Sequence, residues 1–345
     1  MKALTLVAAG GLEHLKVQEL PQPAIQSPRQ ALVRVKAAGL NRLDLFVTSG
    51  LPGATHSFPH VIGTDGAGLV QEVGSEVSGF RPGDRVMINP ALSCGECDAC
   101  QAGEESLCDG LRVIGEHCGG TAAEYIVVPA ANLAAVPARM PWPQAASFSL
   151  ATLTAWRMLV TRARAEPGET VLIWGIGGGV ALAALQIARM IGLQTIVTSG
   201  SDAKLEAARA LGADVLLNHR EADVVAEVRK HSGGRGADVV VDSVGEQSWQ
   251  HSLRALRRGG RLVICGATTG PMISLDLRRL FWRQWSIMGS TLGNRREYAE
   301  IVALAAQGEL WPVIDRTVPL AEALAALERL QRGEQMGKLV IEVSP

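Results

Sequence analysis

The sequence predicts an α/β protein in which a β-rich domain is joined to a doubly wound parallel sheet. Three observations carry this reading. From about Trp142 onward, short apolar runs alternate with helix-forming stretches, which is the rhythm of βαβ units. Before that point the chain is punctuated by Gly and Pro and alternates apolar with polar residues, as half-buried strands do. Finally, Thr170 to Arg189 reads strand, glycine turn, helix, the opening unit of a doubly wound sheet.

The elements follow in chain order. Met1–Val7 reads as a first strand; its apolar part is too short, and lacks the cleavage pattern, for a signal peptide. Ala31–Ala37, Gly68–Gly74, Asp84–Asn89 and Tyr125–Pro129 are further strands. Pro143–Thr161 is helix-like. Strands are then expected at Val171–Trp174, Thr195–Thr198, Val215–Leu217, Val239–Asp242, Arg261–Cys265 and Ser286–Gly289, with helices such as Ala181–Met190, Asp202–Leu211 and Ser248–Arg257 between most of them. After the helix Arg296–Gln307, a lone strand at Lys338–Val343 is expected to return to the first domain. The expected domains are therefore 1–140 with 305–345, and 141–304 inserted between them.

Composition narrows the function classes. The chain has 345 residues, 47 % hydrophobic and 19 % charged, and a formal net charge of −1. It can bury a sizeable core and shows no basic face for nucleic acid. No apolar run reaches the ~18 residues of a membrane span. The expectation is a cytoplasmic protein acting on a small molecule.

Two motifs carry chemistry. Gly175, Gly177, Gly178 and Gly179 crowd the turn after Val171–Trp174. Such a turn gathers backbone N–H groups and a helix N-terminus where a pyrophosphate can sit. The strict G-x-G-x-x-G pattern would put its third glycine at Val180; here glycine comes one place early. The second motif is Cys94-x2-Cys97-x2-Cys100-x7-Cys108 in a lobe at 93–109. Four thiolates on one short lobe suit a closed tetrahedral zinc site that organises a loop and does no chemistry. An iron–sulfur cluster uses the same ligands, but nothing else in the chain suggests electron transfer through one. Cys118 and Cys265 are left over as ordinary small residues.

The cysteine lobe and the glycine turn, in this order, together with Gly63-Thr-Asp-Gly-Ala-Gly68, Pro82-Gly-Asp84, Gly119-Gly-Thr-Ala-Ala-Glu-Tyr125 and Asp242-x-x-Gly245, resemble the medium-chain dehydrogenase/reductase superfamily over essentially the whole chain. The resemblance implies a GroES-like catalytic domain around a Rossmann domain, one structural zinc per chain on Cys94, Cys97, Cys100 and Cys108, and a homodimer or homotetramer pairing through the strand near Trp285–Ser290. It also exposes a departure. Zinc alcohol dehydrogenases of this family carry Cys where this chain has Asn41, and His where it has Thr64. Asn and Thr are weak zinc ligands. Asp65 and Asp44 remain, and two carboxylates without a soft ligand make a poor catalytic zinc site. The chain thus resembles the quinone oxidoreductase branch, which reduces quinones, enones or related activated carbonyl compounds. Two alternatives stay open: a zinc alcohol or aldehyde dehydrogenase with ligands drawn from Asp44, Asp65 or His60, and a non-catalytic NADPH-binding protein.

Residue expectations follow. Where an NAD enzyme places an acid on the ribose, about twenty residues past the turn, this chain has Ser199. Ser199, Ser201 and Lys204 offer donors to a 2′-phosphate, assisted by His219 or Arg220, so NADP(H) is the expected cofactor. Ser243, Gly266 and Ala267 are placed at strand C-termini on the nicotinamide ribose side. By position in the family pattern Asn41 faces the nicotinamide, where its amide would meet a substrate oxygen, and Asp44 and Asp65 are the other catalytic candidates. His60 and His117 are read as structural. Trp156, Trp282 and Trp285 are read as core or dimer contacts.

Overall fold

The chain opens with an antiparallel hairpin, β1 (Lys2–Leu6) and β2 (Leu15–Glu19). The next strand, β3 (Gln30–Gly39), is the spine of the first unit. Its residues Ala31, Val33, Val35 and Ala38 are fully buried in the main apolar cluster, as the alternation in the sequence requires. β4 (His60–Val61), β5 (Asp65–Val73), β6 (Arg85–Ile88), β7 (Ala91–Leu92), β8 (Arg112–Val113), β9 (Tyr125–Pro129) and β10 (Leu133–Ala135) follow. β4 joins β1, β7 pairs only with β8, and the others build on β3 and β5. This computed structural model describes residues 1–51 and 56–344.

The expected helix Pro143–Thr161 is broken into Trp142–Ala145, Ser149–Trp156 and a π turn at Arg157–Arg162. Gly39, at the end of β3, lies so close to Ala146 and Ser147 that a Cβ on it would sit 2.5 Å from the Ala146 carbonyl.

The second unit is a six-stranded parallel sheet: β11 (Thr170–Ile173), β12 (Gln194–Ser199), β13 (Val215–Asn218), β14 (Ala237–Asp242), β15 (Leu256–Ile264) and β16 (Ser286–Gly289). Its order is β13-β12-β11-β14-β15-β16, so the winding reverses between β11 and β14, where doubly wound sheets bind ligands. Leu172, Ile196, Val240 and Leu262, one from each central strand, share one buried layer. Periodicity placed the helix before β15 at Ser248–Arg257, but it runs Glu246–Ala255, because Leu256 already pairs with Ala237 of β14.

The chain then re-enters the first unit, which comprises residues 1–150 and 293–345. The helix Arg295–Ala306 leads to β17 (Ile314–Pro319), the helix Ala323–Gln331 and β18 (Lys338–Glu342). β18 runs antiparallel beside the C-terminal end of β3. β17, which the sequence reading lacked, pairs parallel with β18; Asp315, Arg316 and the terminal Pro319 hide it from a search for apolar alternation. The units part at Leu150/Ala151 and Leu292/Gly293, inside the expected insertion. Ser149 and Tyr298, 2.9 Å apart through their hydroxyls, tie both inner margins to the first unit. No described helix is long and apolar enough to cross a membrane.

Candidate functional site

The glycine turn occupies the C-terminal edge of the parallel sheet. Gly175 and Gly177 have φ of 70° and 118°, a region that side chains with a Cβ rarely adopt. Gly178 caps the helix Gly179–Ile191, whose second residue is Val180. The turn is held by its neighbour strand: Ile176 N–H donates to the Thr198 carbonyl at 2.8 Å, and Gly175 N–H to Thr198 Oγ1 at 3.3 Å. The first-turn N–H groups of such a helix have no intrahelical acceptor, which makes this the anion-binding end.

The other expected cofactor residues sit at strand ends along the same edge. Ser199 ends β12 opposite Asn218, which ends β13. Ser199 Oγ accepts from Ser201 N–H at 3.2 Å, and its carbonyl accepts from His219 N–H at 3.1 Å. The Arg220 guanidinium lies over Gly200; a Cβ there would fall 2.6 Å from its Nε. Lys204 is half-buried in the first turn of the helix Asp202–Ala210. Burial, and then the Arg220 charge, lower the His219 pKa and keep the imidazole neutral. After β14, Asp242 accepts from Val244 and Gly245 N–H, at 2.8 and 3.2 Å, and from the Ser248 and Ser252 hydroxyls. That carboxylate shapes the turn presenting Ser243. Gly266 and Ala267 follow β15 beside it, and the Thr268 hydroxyl donates to the Ser243 carbonyl at 3.3 Å.

The cysteine lobe gathers as its spacing implied. The four sulfurs of Cys94, Cys97, Cys100 and Cys108 lie within 4.8 Å of one another. Cys94 Sγ is 3.5 Å from Cys108 Sγ and 3.8 Å from Cys100 Sγ. A tetrahedron with Zn–S bonds of 2.3 Å has edges of about 3.8 Å, so the set fits zinc. Without a metal the thiols share protons: backbone N–H groups of Glu96 and Cys97, then the Cys108 thiol, lower the Cys94 thiol, while burial, with the neighbouring thiols, raises that of Cys100. Burial raises the Cys118 and Cys265 thiols, the latter to about 12. His117 Nδ1 accepts from Val113 N–H at 3.1 Å and His60 Nε2 meets the Gly115 carbonyl at 2.9 Å; both imidazoles are engaged by backbone.

Asn41, Asp44 and Asp65 meet in a buried cluster. Asn41 caps the helix Arg42–Ser49 in a capping box with Asp44: Asp44 Oδ2 accepts from Asn41 N–H at 2.7 Å, and Oδ1 from Gly63 N–H at 3.1 Å. The amide of Asn41 donates to the Gly39 carbonyl at 3.2 Å and to Asp65 Oδ2 at 3.0 Å. Asp65 Oδ1 accepts from Leu150 N–H at 2.7 Å, in the first turn of Ser149–Trp156, where a carboxylate is favoured. Burial pushes the Asp44 carboxyl up to about 7 against the downward pull of these N–H groups and of Lys338. Both amide donors of Asn41, expected at a substrate oxygen, are thus spent inside the protein. Thr64 Oγ1 is buried with no hydrogen-bond partner.

Comparison with known proteins agrees with this geometry. Residues 27–138 match the alcohol dehydrogenase GroES-like domain, and residues 179–307 match the zinc-binding dehydrogenase family. An NAD-dependent alcohol dehydrogenase of Sulfurisphaera tokodaii is 32 % identical over 99 % of both chains. The chain belongs to the medium-chain dehydrogenase/reductase superfamily. The human quinone oxidoreductase is 29 % identical over 99 % of this chain and 97 % of its own. A crystal structure of an NAD-dependent alcohol dehydrogenase is 43 % identical and superposes with a TM-score of 0.96 over 100 % of both chains.

One residue of this medium-chain dehydrogenase/reductase was invisible to the sequence reading. Lys338, the first residue of β18, is 4 % exposed. Its ammonium donates to Asn41 Oδ1 and to Asp65 Oδ2. β5, β3 and β18 lie side by side, with Asp65 opposite Gly39 and Gly39 opposite Val340. That register alone brings Asp65, Asn41 and Lys338 together. A buried lysine is rare without a partner, but nothing in the string Gly337-Lys-Leu-Val announces burial.

Proposed function

We propose that this oxidoreductase transfers hydride from NADPH to an activated carbonyl compound, a quinone or an enone, with one structural zinc per chain and no catalytic zinc. The observation carrying it is the Asn41–Asp65–Lys338 network: an ammonium already bonds Asp65 Oδ2, an oxygen that a second metal would draw on, and Asn41 Oδ1. Among the described residues, the four cysteines are the only group of three or more His, Cys, Asp or Glu gathered as metal ligands are.

The reduced nicotinamide supplies the hydride. The protein holds it. Gly175, Gly177, Gly178 and Gly179, with the N–H of Val180, cradle the pyrophosphate, and Ser243, Gly266 and Ala267 line the nicotinamide ribose. Ser199 leaves the 2′ position without a repelling carboxylate, while Ser201, Lys204, His219 and above all Arg220 surround it with donors and charge. Asn41, Asp44 and Asp65 form a buried cluster of their own in the first unit, their polar atoms bonded to one another and to backbone. Quinones and enones need less help at oxygen than a simple ketone does, which suits a site without a Lewis acid. β16 pairs on one side only, with β15. Beside it Leu277, Phe281 and Trp282 are each about two-thirds exposed, which suits a homodimer pairing along that edge.

The names of the relatives favour a second reading, an alcohol dehydrogenase with a zinc on Asp44, Asp65 or His60. Metal analysis of purified protein, paired with NADPH and NADH turnover over quinones, enones and aldehydes, separates the two. One zinc per chain with quinone or enone reduction is expected. Two zincs with alcohol oxidation would overturn it.

A further inference from the structure

Two carboxylates, Asp44 and Asp65, lie fully buried in one cluster. Buried charge is tolerated where it is hydrogen-bonded and paired; N–H groups of Asn41, Gly63 and Leu150 bond these carboxyls, and a cation or a proton balances their charge. The chain provides a cation of its own. Lys338 reaches the cluster at the head of β18, where its N–H bonds the Val313 carbonyl at 2.8 Å and the Leu339 carbonyl accepts from Leu40 N–H at 2.8 Å. Backbone pairing fixes where this side chain leaves the strand, and the ammonium itself is held by Asn41 and Asp65. It bonds Asp65 Oδ2 and Asn41 Oδ1, side-chain oxygens of the kind a hard divalent cation takes.

We propose that Lys338 is the resident cation of this site: it is the buried counter-ion of Asp65, it holds the Asn41 amide in one orientation, and by standing there it keeps a divalent metal out. Lys338 is in this sense a positioning residue, acting through Asn41 and Asp65. The proposal rests on the reading that the protein works without a catalytic metal. The titratable groups facing the ammonium and its partners are Asp44 from the helix Arg42–Ser49, Asp65 from β5, and the phenol of Tyr298 from the helix Arg295–Ala306. Tyr298 is kept protonated by burial, while sharing a hydrogen bond with Ser149. With Lys338 present the cluster holds one positive charge against two carboxyls, one of which, Asp44, shifts toward the neutral form. Without it the two carboxyls keep only their N–H donors from Asn41, Gly63 and Leu150. Protons or a metal are then needed to offset the uncompensated negative charge, so the folded state is favoured where either is supplied.

The test uses the full-length, zinc-loaded protein and the variants Lys338→Met, Lys338→Gln and Lys338→Arg. Tm is measured at pH 5.5 and pH 8, with and without Co²⁺, and metal per chain is counted after dialysis. Lys338→Arg should behave as wild type, with one metal per chain and a Tm indifferent to added Co²⁺. Lys338→Met and Lys338→Gln should lose more stability at pH 8 than at pH 5.5, regain part of it with Co²⁺, and carry a second metal ion. A stability loss equal at both pH values, or a metal count unchanged at one, overturns the proposal, since a lysine that merely fills space would give that result. If a neutral variant fails to fold at pH 8, recovery at pH 5.5 supports the proposal and failure at both overturns it. The functional reading fails on a different measurement, the turnover of wild-type enzyme, so the two failures are distinguishable.

Discussion

Lys338 and Asp65, 273 residues apart in sequence, form a buried ion pair with Nζ 3.1 Å from Oδ2. It joins the last strand of the chain to the Gly63–Gly68 segment and takes in the Asn41 amide on the way. A pair this deep is not evidence of stability as such, because the desolvation of both ions offsets much of their attraction. Breaking it from one side is another matter.

Asp65→Asn leaves the Lys338 ammonium buried without its counter-ion. The expected loss is about 3–5 kcal/mol, read as a shift of the urea midpoint at unchanged slope. An effect below about 1 kcal/mol, the range of exposed pairs, would show that water reaches the pair in solution.

Asp44 gives stability a defined pH slope. Its carboxyl titrates near 7 in the folded protein against 3.8 ordinarily, so between those values the folded state binds a proton that the unfolded state has released. Stability from this group is present at low pH and falls as pH rises from about 4 through about 7. Asp44→Asn should remove that part of the slope, seen by comparing urea midpoints at pH 5 and pH 8.

Removal of the lobe metal should unfold the lobe locally. Cys108→Ser is expected to abolish zinc binding, with no zinc released on mercurial titration, and to lower Tm. A ligand held at a thousand times its Kd contributes about 4 kcal/mol, which sets the scale of the loss. Full zinc content in the variant would remove Cys108 from the ligand set.

Cofactor preference should follow charge at the end of β12. Arg220→Ala is expected to weaken NADPH by roughly tenfold to a hundredfold, the worth of a charge-assisted hydrogen bond, and to leave NADH almost unchanged. Ser199→Asp should turn the preference toward NADH by repelling the 2′-phosphate. Equal losses of both cofactors in Arg220→Ala, measured by fluorescence titration, would place the residue elsewhere.

Much of the molecule was legible without coordinates. The glycine turn and the six parallel strands could be read because a strand buried on both faces must be apolar throughout and a tight turn admits little but glycine. The metal lobe could be read because four thiols at short spacing lie within one small loop whatever surrounds them. These are local properties, and local chemistry is written in neighbouring residues. β17 escaped because it is a polar strand paired on one side only, and the helix Glu246–Ala255 was misplaced by two residues because the register of β14 with β15 ends it.

The candidate catalytic residues divide differently. Sequence, set beside the family pattern, determined that Asn41 and Thr64, residue types that bind zinc weakly, stand where zinc alcohol dehydrogenases carry Cys and His. Only the tertiary structure decided that Lys338 lies against Asn41 and Asp65. The antiparallel pairing of β3 with β5 and with β18 sets Asp65, Asn41 and Lys338 together, and strand register between segments hundreds of residues apart depends on the packing of the whole sheet, which no local pattern records.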